Sequence, residues 1–543
     1  MKNTKLLLMS PVVALMAIGS LAGCAKKNGE NKYDKEGRLI LDLKNVYFDQ
    51  WQGADTYTDI INERFNVKIK ASGYSYESWS EQVTVAINGD NLTDTIHYEL
   101  KDYNFGASYE EWVDNLMIKA LPDDMSKWPN LQAMLAKVSN LDSIKINGKL
   151  YGIPCLLDLN NPEKDFSNFT YVYRRDWAKK IDEANKNKAG YTPIYKEGDV
   201  YTWDEFNRLL KAFSTEIQKE YLANSDQAYA LADEAWGFPS VTNFYKDAPH
   251  CFTKDANGKA VNAFTTDNYL AGLEVAKDFV SKRYYSPDQF NYKDGTAKKK
   301  YIGGLAGVFY DNFSLSNYLD LRNTFRNNNR TANLDDGTAL MKVKDPNGVF
   351  SLESTENWYG ITLFNYNIKD EKMEKILDIM DYLLTEEGTR LAIYGKEGYD
   401  YEMVDGKVQL NEINWEKDSN TGKLIKKENG AKYLRYMATL GNDTKSYDPY
   451  TDMDTYNIIK GWQDEMATAK ANNQLRVFRT PVDIAWMSTP TKNEKTQDLL
   501  GDGNNAALKY AFSKLDKDAY LKVFSSNKNW ERTLNEINAK LGK

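Results

Sequence analysis

The chain has 543 residues, a formal net charge of −8, 42% hydrophobic and 27% charged residues. That apolar fraction is enough to build folded domains and argues against disorder, and the acidic balance argues against nucleic acid as a partner. Two histidines and three cysteines exclude much histidine- and thiol-based chemistry before any motif is sought.

At the N-terminus, Lys2 and Lys5 flank the start of an apolar run at residues 6–18, LLLMSPVVALMAI. This is the length of a signal-peptide core and too short for a spanning helix. The quartet Leu21-Ala22-Gly23-Cys24 resembles a bacterial lipobox, which implies cleavage before Cys24 and acylation of that cysteine. Residues 1–23 are then a lipoprotein signal peptide and 24–36 a polar, flexible tether. The leader contains Lys2 and Lys5 and no acid, so its loss takes the net charge from −8 to −10. Cys155 and Cys251 either pair, as an extracellular setting allows, or stay as buried thiols; the sequence leaves both open.

Residues 38–48 read as a strand. Tyr57, Ile60, Ile61 and Phe65 have helical spacing, and 67–70 alternates as a strand. Ser78-Trp79-Ser80-Glu81 is a capping box opening a helix through Ile87. Residues 95–98 read as a third strand, and Ser108-Tyr109-Glu110-Glu111 opens another helix. Strands alternating with helices predict an α/β domain with a largely parallel sheet. In 146–154, INGKLYGIP, a turn and short strand end at Pro154. Residues 170–177 read as a strand, and Thr202-Trp203-Asp204-Glu205 as a capping box leading a helix through Phe213. Turns are expected at 254–258 and 345–348. Ile376, Met380, Leu383 and Leu384 lie on one helical face, with Gly388 near its end. Residues 400–460 are rich in turns. Gly501-Asp502-Gly503 reads as a turn, and Trp530, Leu534, Ile537 and Leu541 as a final amphipathic helix.

Neither His97 nor His250 lies in a nucleophile signature. No H-E-x-x-H, C-x-x-C or P-loop pattern occurs, and the Asp/Asn-rich turns lack the calcium-loop ligand series. No cofactor and no metal are expected. With 78 acidic residues, some carboxylate pair always falls at a catalytic spacing, which keeps a secreted glycoside hydrolase as an alternative. Binding chemistry is better represented. Trp51, Tyr74, Tyr98, Trp236, Tyr310 and Trp358 follow predicted strands or lie in loops, several with polar neighbours such as Asp311 and Asn312. An aromatic plane covers the C–H face of a sugar while Asp and Asn satisfy its hydroxyls. These eight residues are the candidate ligand-binding set.

The motifs converge on one resemblance. Residues 86–94, AINGDNLTD, are similar to the "A-x-G-D-x-P-D" turn of the carbohydrate-uptake solute-binding lipoproteins of ABC importers, with Thr93 where proline is usual. Residues 147–154, NGKLYGIP, resemble that family's "G-K-x-Y-G-x-P". YRRDW at 173–177, YTWDEF at 201–206, and DYLLTEEG at 381–388 followed by YGKEG at 394–398 also match family segments in order. The resemblance implies an α/β, two-lobe, periplasmic-binding-protein-like fold of type II topology with a central cleft and hinge. Lobe 1 would be 37–168 and 356–400, and lobe 2 would be 169–355 and 401–543. The implied crossings lie near 166–172, near 352–358 and after the 386–398 region. The resemblance further implies a monomeric, lipid-anchored receptor on the extracellular face of the cytoplasmic membrane of a Gram-positive cell. It would deliver an oligosaccharide to ABC permease subunits without catalysis. A receptor for a peptide or another non-sugar solute is the alternative within the same fold.

Overall fold

Two five-stranded sheets, each with its own helical cover, organise the chain. The computed structural model describes residues 32–48, 51–74, 79–89, 92–99, 105–156, 165–220, 228–411, 415–417, 424–426, 430–437 and 453–542. The expected signal peptide, Cys24 and residues 25–31 of the expected tether lie outside the described residues.

The first sheet runs Val67–Ser72, Leu39–Lys44, Thr95–Glu99, Trp358–Phe364, Gly152–Leu156. The first three strands are parallel, while Trp358–Phe364 is antiparallel to both of its neighbours. Leu39, Leu41 and Leu43 alternate into the core, as a half-covered strand requires. Pro154 does not end its strand, which continues to Leu156; Gly152–Leu156 is the sheet edge, where a missing N–H costs no ladder bond. The expected strand at 38–48 stops at Lys44 and gives way to the 3₁₀ turn Val46–Phe48. The helix expected to open at Ser108 begins at Phe105.

The second sheet runs Val200–Tyr201, Ala339–Val343, Phe169–Tyr173, Ala306–Asn312, Tyr229–Asp233. Here Phe169–Tyr173 is the antiparallel member. In each sheet, the strand that opposes its neighbours is the one arriving from the other lobe. This exchange is the type II arrangement. The two crossing segments lie side by side: Phe166 bridges Ser354, Ser167 N–H donates to Glu353 O (2.8 Å), and Thr355 N–H donates to Asp165 O (3.1 Å). The parallel pair Phe350–Glu353 and Leu475–Phe478 continues into Ser354 N–H donating to Phe478 O (2.8 Å).

The Thr202 capping box forms in both directions: Glu205 N–H donates to Thr202 Oγ1 (3.3 Å) and Thr202 N–H to Glu205 Oε2 (2.9 Å). The helix it starts, Trp203–Glu220, runs past Phe213. Gly388 does not close the Asp370–Leu383 helix. It lies in the first turn of a second helix, Glu386–Ile393, where its N–H donates to the Thr385 cap (3.1 Å). The tight corner needs glycine, because a Cβ there would come within 2.1 Å of Tyr382 O.

Residues 430–437, expected in lobe 2, pack on the first core: Ala431, Leu434 and Met437 sit among the residues beneath the first sheet. Ahead of them, Asp400 accepts from the buried Tyr57 hydroxyl (3.2 Å). The helix Met453–Ala471 lies against the second sheet's core through Ile459, Trp462, Met466 and Ala469.

The C-terminal helices Pro490–Ala511, Lys517–Ser526 and Lys528–Leu541 enclose an aromatic core of Phe264, Tyr269, Phe524 and Trp530. Gly501-Asp502-Gly503 lies inside the first of these helices rather than in a turn. Gly503 lets that helix close on Phe264, whose ring would be 2.3 Å from an added Cβ. Cys155 and Cys251 are both buried and are not joined by a disulfide.

Candidate functional site

The crossing strand at 165–168 enters the second sheet at Phe169, so Phe169 marks the edge that faces the first lobe. The carboxyl ends of Tyr229–Asp233 and Ala306–Asn312 reach the same edge, because Tyr310 is paired with both Tyr171 and Asp233. Ligands of open α/β sheets bind beyond such strand ends. Trp236, three residues past the first of these strands, is 49% exposed, and its ring meets Phe169 at 5.3 Å. Phe169 in turn lies over Tyr310 at 6.2 Å and 25°. The result is a layered aromatic platform with Trp236 outermost.

The loop that carries Trp236 is braced from below. The buried Asp233 carboxylate accepts from Ser240 N–H (2.7 Å), Ser240 Oγ (2.9 Å) and Tyr285 Oη (2.7 Å). Gln289 Nε2 donates to the Asp233 carbonyl (2.7 Å). Glu234 accepts from Gly295 N–H (2.8 Å) and Lys298 N–H (3.0 Å). Gly237 then allows the loop to lie on Tyr310, whose ring carbons would be 3.3 Å from a Cβ. The Phe238-Pro239 peptide is cis. Burial pushes the Asp233 carboxyl up to about 7, and it also raises Glu234. A rigid loop with an exposed indole loses little freedom when a ligand stacks on it.

Polar groups flank the platform. Burial raises the Asp311 carboxyl to about 6, and one of its oxygens accepts from Asn312 N–H (2.7 Å). Asn312 Oδ1 accepts from Ser314 N–H (3.2 Å), while Asn317 Nδ2 donates to the Asn312 carbonyl (2.9 Å). Asn243 Nδ2 donates to the Tyr310 hydroxyl (2.6 Å). Glu353, at the start of the second crossing, lies 3.9 Å from His250 Nε2. Phe169, Asn243 and Glu353 were not among the residues singled out from sequence. Phe169 had a usable signal in its place directly after a crossing; Asn243 and Glu353 had none.

The structure thus brings Trp236, Tyr310, Asp311 and Asn312 together, with Tyr310 as the covered layer at 5% exposure. It does not bring the other four to that place. Trp51 is buried: its face stacks on Tyr433 at 4.9 Å and 9°, and its Nε1 donates to Asp55 (2.5 Å). Tyr74 is buried with its hydroxyl donating to the His97 carbonyl. Tyr98 meets Trp112 edge-on at 5.2 Å. Trp358 stacks on Trp486 at 5.6 Å and 9°, and its Nε1 donates to Ser139 O (3.0 Å). Each of these four spends its apolar surface on the protein's own side chains. Beside Trp358, Glu356 accepts from Ser139 Oγ (2.6 Å), Asn140 Nδ2 (2.8 Å) and Arg479 (3.2 Å), tying the second crossing to two other segments.

Among the described residues, no group of three or more His, Cys, Asp or Glu side chains is placed to hold a metal ion. In both Asp-rich turns the carboxylate is taken by backbone N–H groups. Asp255 accepts from Asn257 and Lys259, and Asp345 from Asn347 and Val349. No helix among the described residues is long and apolar enough to cross a membrane.

No protein-family model matches the sequence, and no curated protein does. Solved structures do match. The alginate-binding protein AlgQ2, in a calcium-free form, superposes with a TM-score of 0.61 at 14% identity, covering 93% of this chain and 98% of its own. An extracellular solute-binding protein from Bifidobacterium longum subsp. infantis gives 0.59 at 15% identity, covering 93% and 100%. The ABC-transporter substrate-binding protein FusA of Streptococcus pneumoniae, solved with kestose, gives 0.53 at 14% identity, covering 93% and 100%. The chain has the two-lobe fold of ABC-transporter solute-binding proteins. Within that solute-binding-protein fold, the aromatic platform lies at the edge of lobe 2 from which the chain crosses to lobe 1.

Proposed function

We propose that this chain is a lipid-anchored extracellular receptor that captures an oligosaccharide between its lobes and hands it to an ABC permease. The observation that carries the reading is the half-exposed Trp236 indole on a braced loop at the lobe 2 edge. Trp236 covers the C–H face of a pyranose. Asp311 and Asn312 meet its hydroxyls, and Tyr310 and Phe169 support the indole from beneath. Binding is the whole of the activity, with no bond made or broken in the ligand.

Residues 1–23 direct secretion, Cys24 carries the lipid and 25–31 form the tether, which ends sooner than expected because Lys32–Asp34 already pair with residues 38–40. Residues 37–168 and 356–400, with the helix at 430–437, make lobe 1, and 169–355 with the C-terminal helices make lobe 2. The monomer closes about the paired crossings at Asp165–Ser167 and Glu353–Thr355. Ligand favours the closed state through contacts that the open state lacks.

A thermal-shift screen of residues 25–543 against neutral oligosaccharides and short peptides tests this. Ligand at about 100 times Kd adds about 2.7 kcal/mol of stability. A shift with one glycan class, with that glycan recovered intact, supports the reading. A shift with peptides alone, or recovery of a shortened glycan, overturns it.

A further inference from the structure

The root of the tether adjoins a second surface with its own chemistry. A groove of about 620 Å³ opens between the first described residues, the edge strand Val67–Ser72 and the start of the Asp370–Leu383 helix. Five of its nine lining residues are lysines: Lys32, Lys35, Lys70, Lys369 and Lys372. The acids nearby are largely committed. Asp34 is held by Arg38 (2.7 Å), Glu371 pairs with Lys32, and Asp94 pairs with Lys372 (2.8 Å) while accepting from Asp42 N–H (2.8 Å). Asp370, next to Lys369, pairs with Lys119 (2.6 Å). Asp42 also lines the groove. Lys35, Lys70 and Lys369 are exposed and form no ion pair among the described residues.

We propose that this face lies against the anionic phospholipid headgroups of the membrane that holds Cys24. The inference rests on the lipid-anchor reading given above. Seven residues, and so eight Cα–Cα steps, separate Cys24 from Lys32, a reach of at most about 28 Å. Lys26 and Lys27 add positive charge within that stretch. A chain whose mature charge is −10, held this close to a negative surface, is repelled unless the face it presents is positive. At physiological salt that repulsion acts over roughly 8 Å, and each lysine near an anionic bilayer is attracted to it. The lysine groove is the face that the short tether brings nearest, so attraction at the groove orients lobe 1 on the membrane.

Flotation of residues 25–543, which carry no lipid and keep every described residue, with phosphatidylcholine vesicles with and without phosphatidylglycerol tests the surface directly. Binding is expected only with phosphatidylglycerol, is weakened by added salt, and falls at least tenfold in Lys35→Glu/Lys70→Glu/Lys369→Glu. Lys517→Glu/Lys528→Glu, exposed on the C-terminal helices, leaves it unchanged. An unshifted melting temperature in the triple variant excludes misfolding as the cause. Absence of binding to phosphatidylglycerol vesicles, equal binding to phosphatidylcholine alone, or full binding by the triple variant overturns the proposal. Mass analysis of Cys24 in the full precursor, processed in a lipoprotein-producing bacterium, separates the two readings. A Cys24 without acyl chains sinks the anchor, whereas the vesicle result reports on the lysine face alone.

Discussion

Replacing Trp236 by alanine separates a ligand platform from a core aromatic. A tryptophan presents roughly 250 Å², and at 49% exposure about 120 Å² is free to be covered. At about 25 cal/mol/Å², full coverage by a sugar ring contributes about 3 kcal/mol, and half coverage about 1.5 kcal/mol. Trp236→Ala is therefore expected to raise Kd about 10- to 150-fold. Its cost to stability is smaller, because the half-exposed ring packs on Phe169, a contact of about 0.5–1.5 kcal/mol. Trp51→Ala and Trp358→Ala should behave in the opposite way. Their rings are buried against Tyr433 and Trp486, so each costs about 3–5 kcal/mol of stability. Titration calorimetry with the glycan found in the screen, beside urea unfolding, reads both quantities. A Trp236→Ala protein that binds that glycan with unchanged Kd refutes the platform, and so does a stable Trp51→Ala protein that has lost binding.

Four further variants have expected outcomes. Gly503→Ala should destabilise by about 1–3 kcal/mol in urea unfolding, since the new methyl meets Phe264 at 2.3 Å and this overpacking outweighs a helix-propensity gain of up to about 1 kcal/mol. Gly501→Ala, two residues earlier with nothing within 4 Å, should keep the gain and stabilise. Asp233 has a folded-state pKa raised by burial to about 7; between pH 4 and 7 the native state holds the proton that the unfolded state has released, so this group's stabilisation falls as pH rises, by up to about 1.4 kcal/mol per unit. Asp233→Asn should flatten that part of the stability–pH curve, and an unchanged slope would show that the carboxyl titrates normally. Thr202→Ala should cost about 1 kcal/mol through loss of the reciprocal cap, measured by the same unfolding assay.

What the sequence made legible was local or carried by ordered motifs. The Thr202–Glu205 box needs only residues three apart, and it forms as read. The alternating Leu39, Leu41 and Leu43 register needs only a covered face. The misreadings share a different cause: a partner distant in the chain decided the outcome. Gly501 and Gly503 carry turn chemistry, yet Phe264, more than two hundred residues away, needs the space a glycine leaves in a helix. Pro154 reads as a stop, and only its place at a sheet edge makes it harmless. The aromatics show the same limit most sharply. Trp51, Trp236 and Trp358 all stand among polar residues in sequence, so no local pattern distinguishes them. Tyr433 and Trp486, remote in sequence, cover two of the three, while Asp233 and Glu234 hold the third in the open. Only the folded contacts of Asp233 and Glu234, which Ala235 separates from Trp236, set that indole apart. Two adjacent carboxylates whose ligands are backbone N–H groups and hydroxyls, rather than cations, fix a loop in place, and a fixed loop is what an exposed indole needs to act as a surface for a ligand.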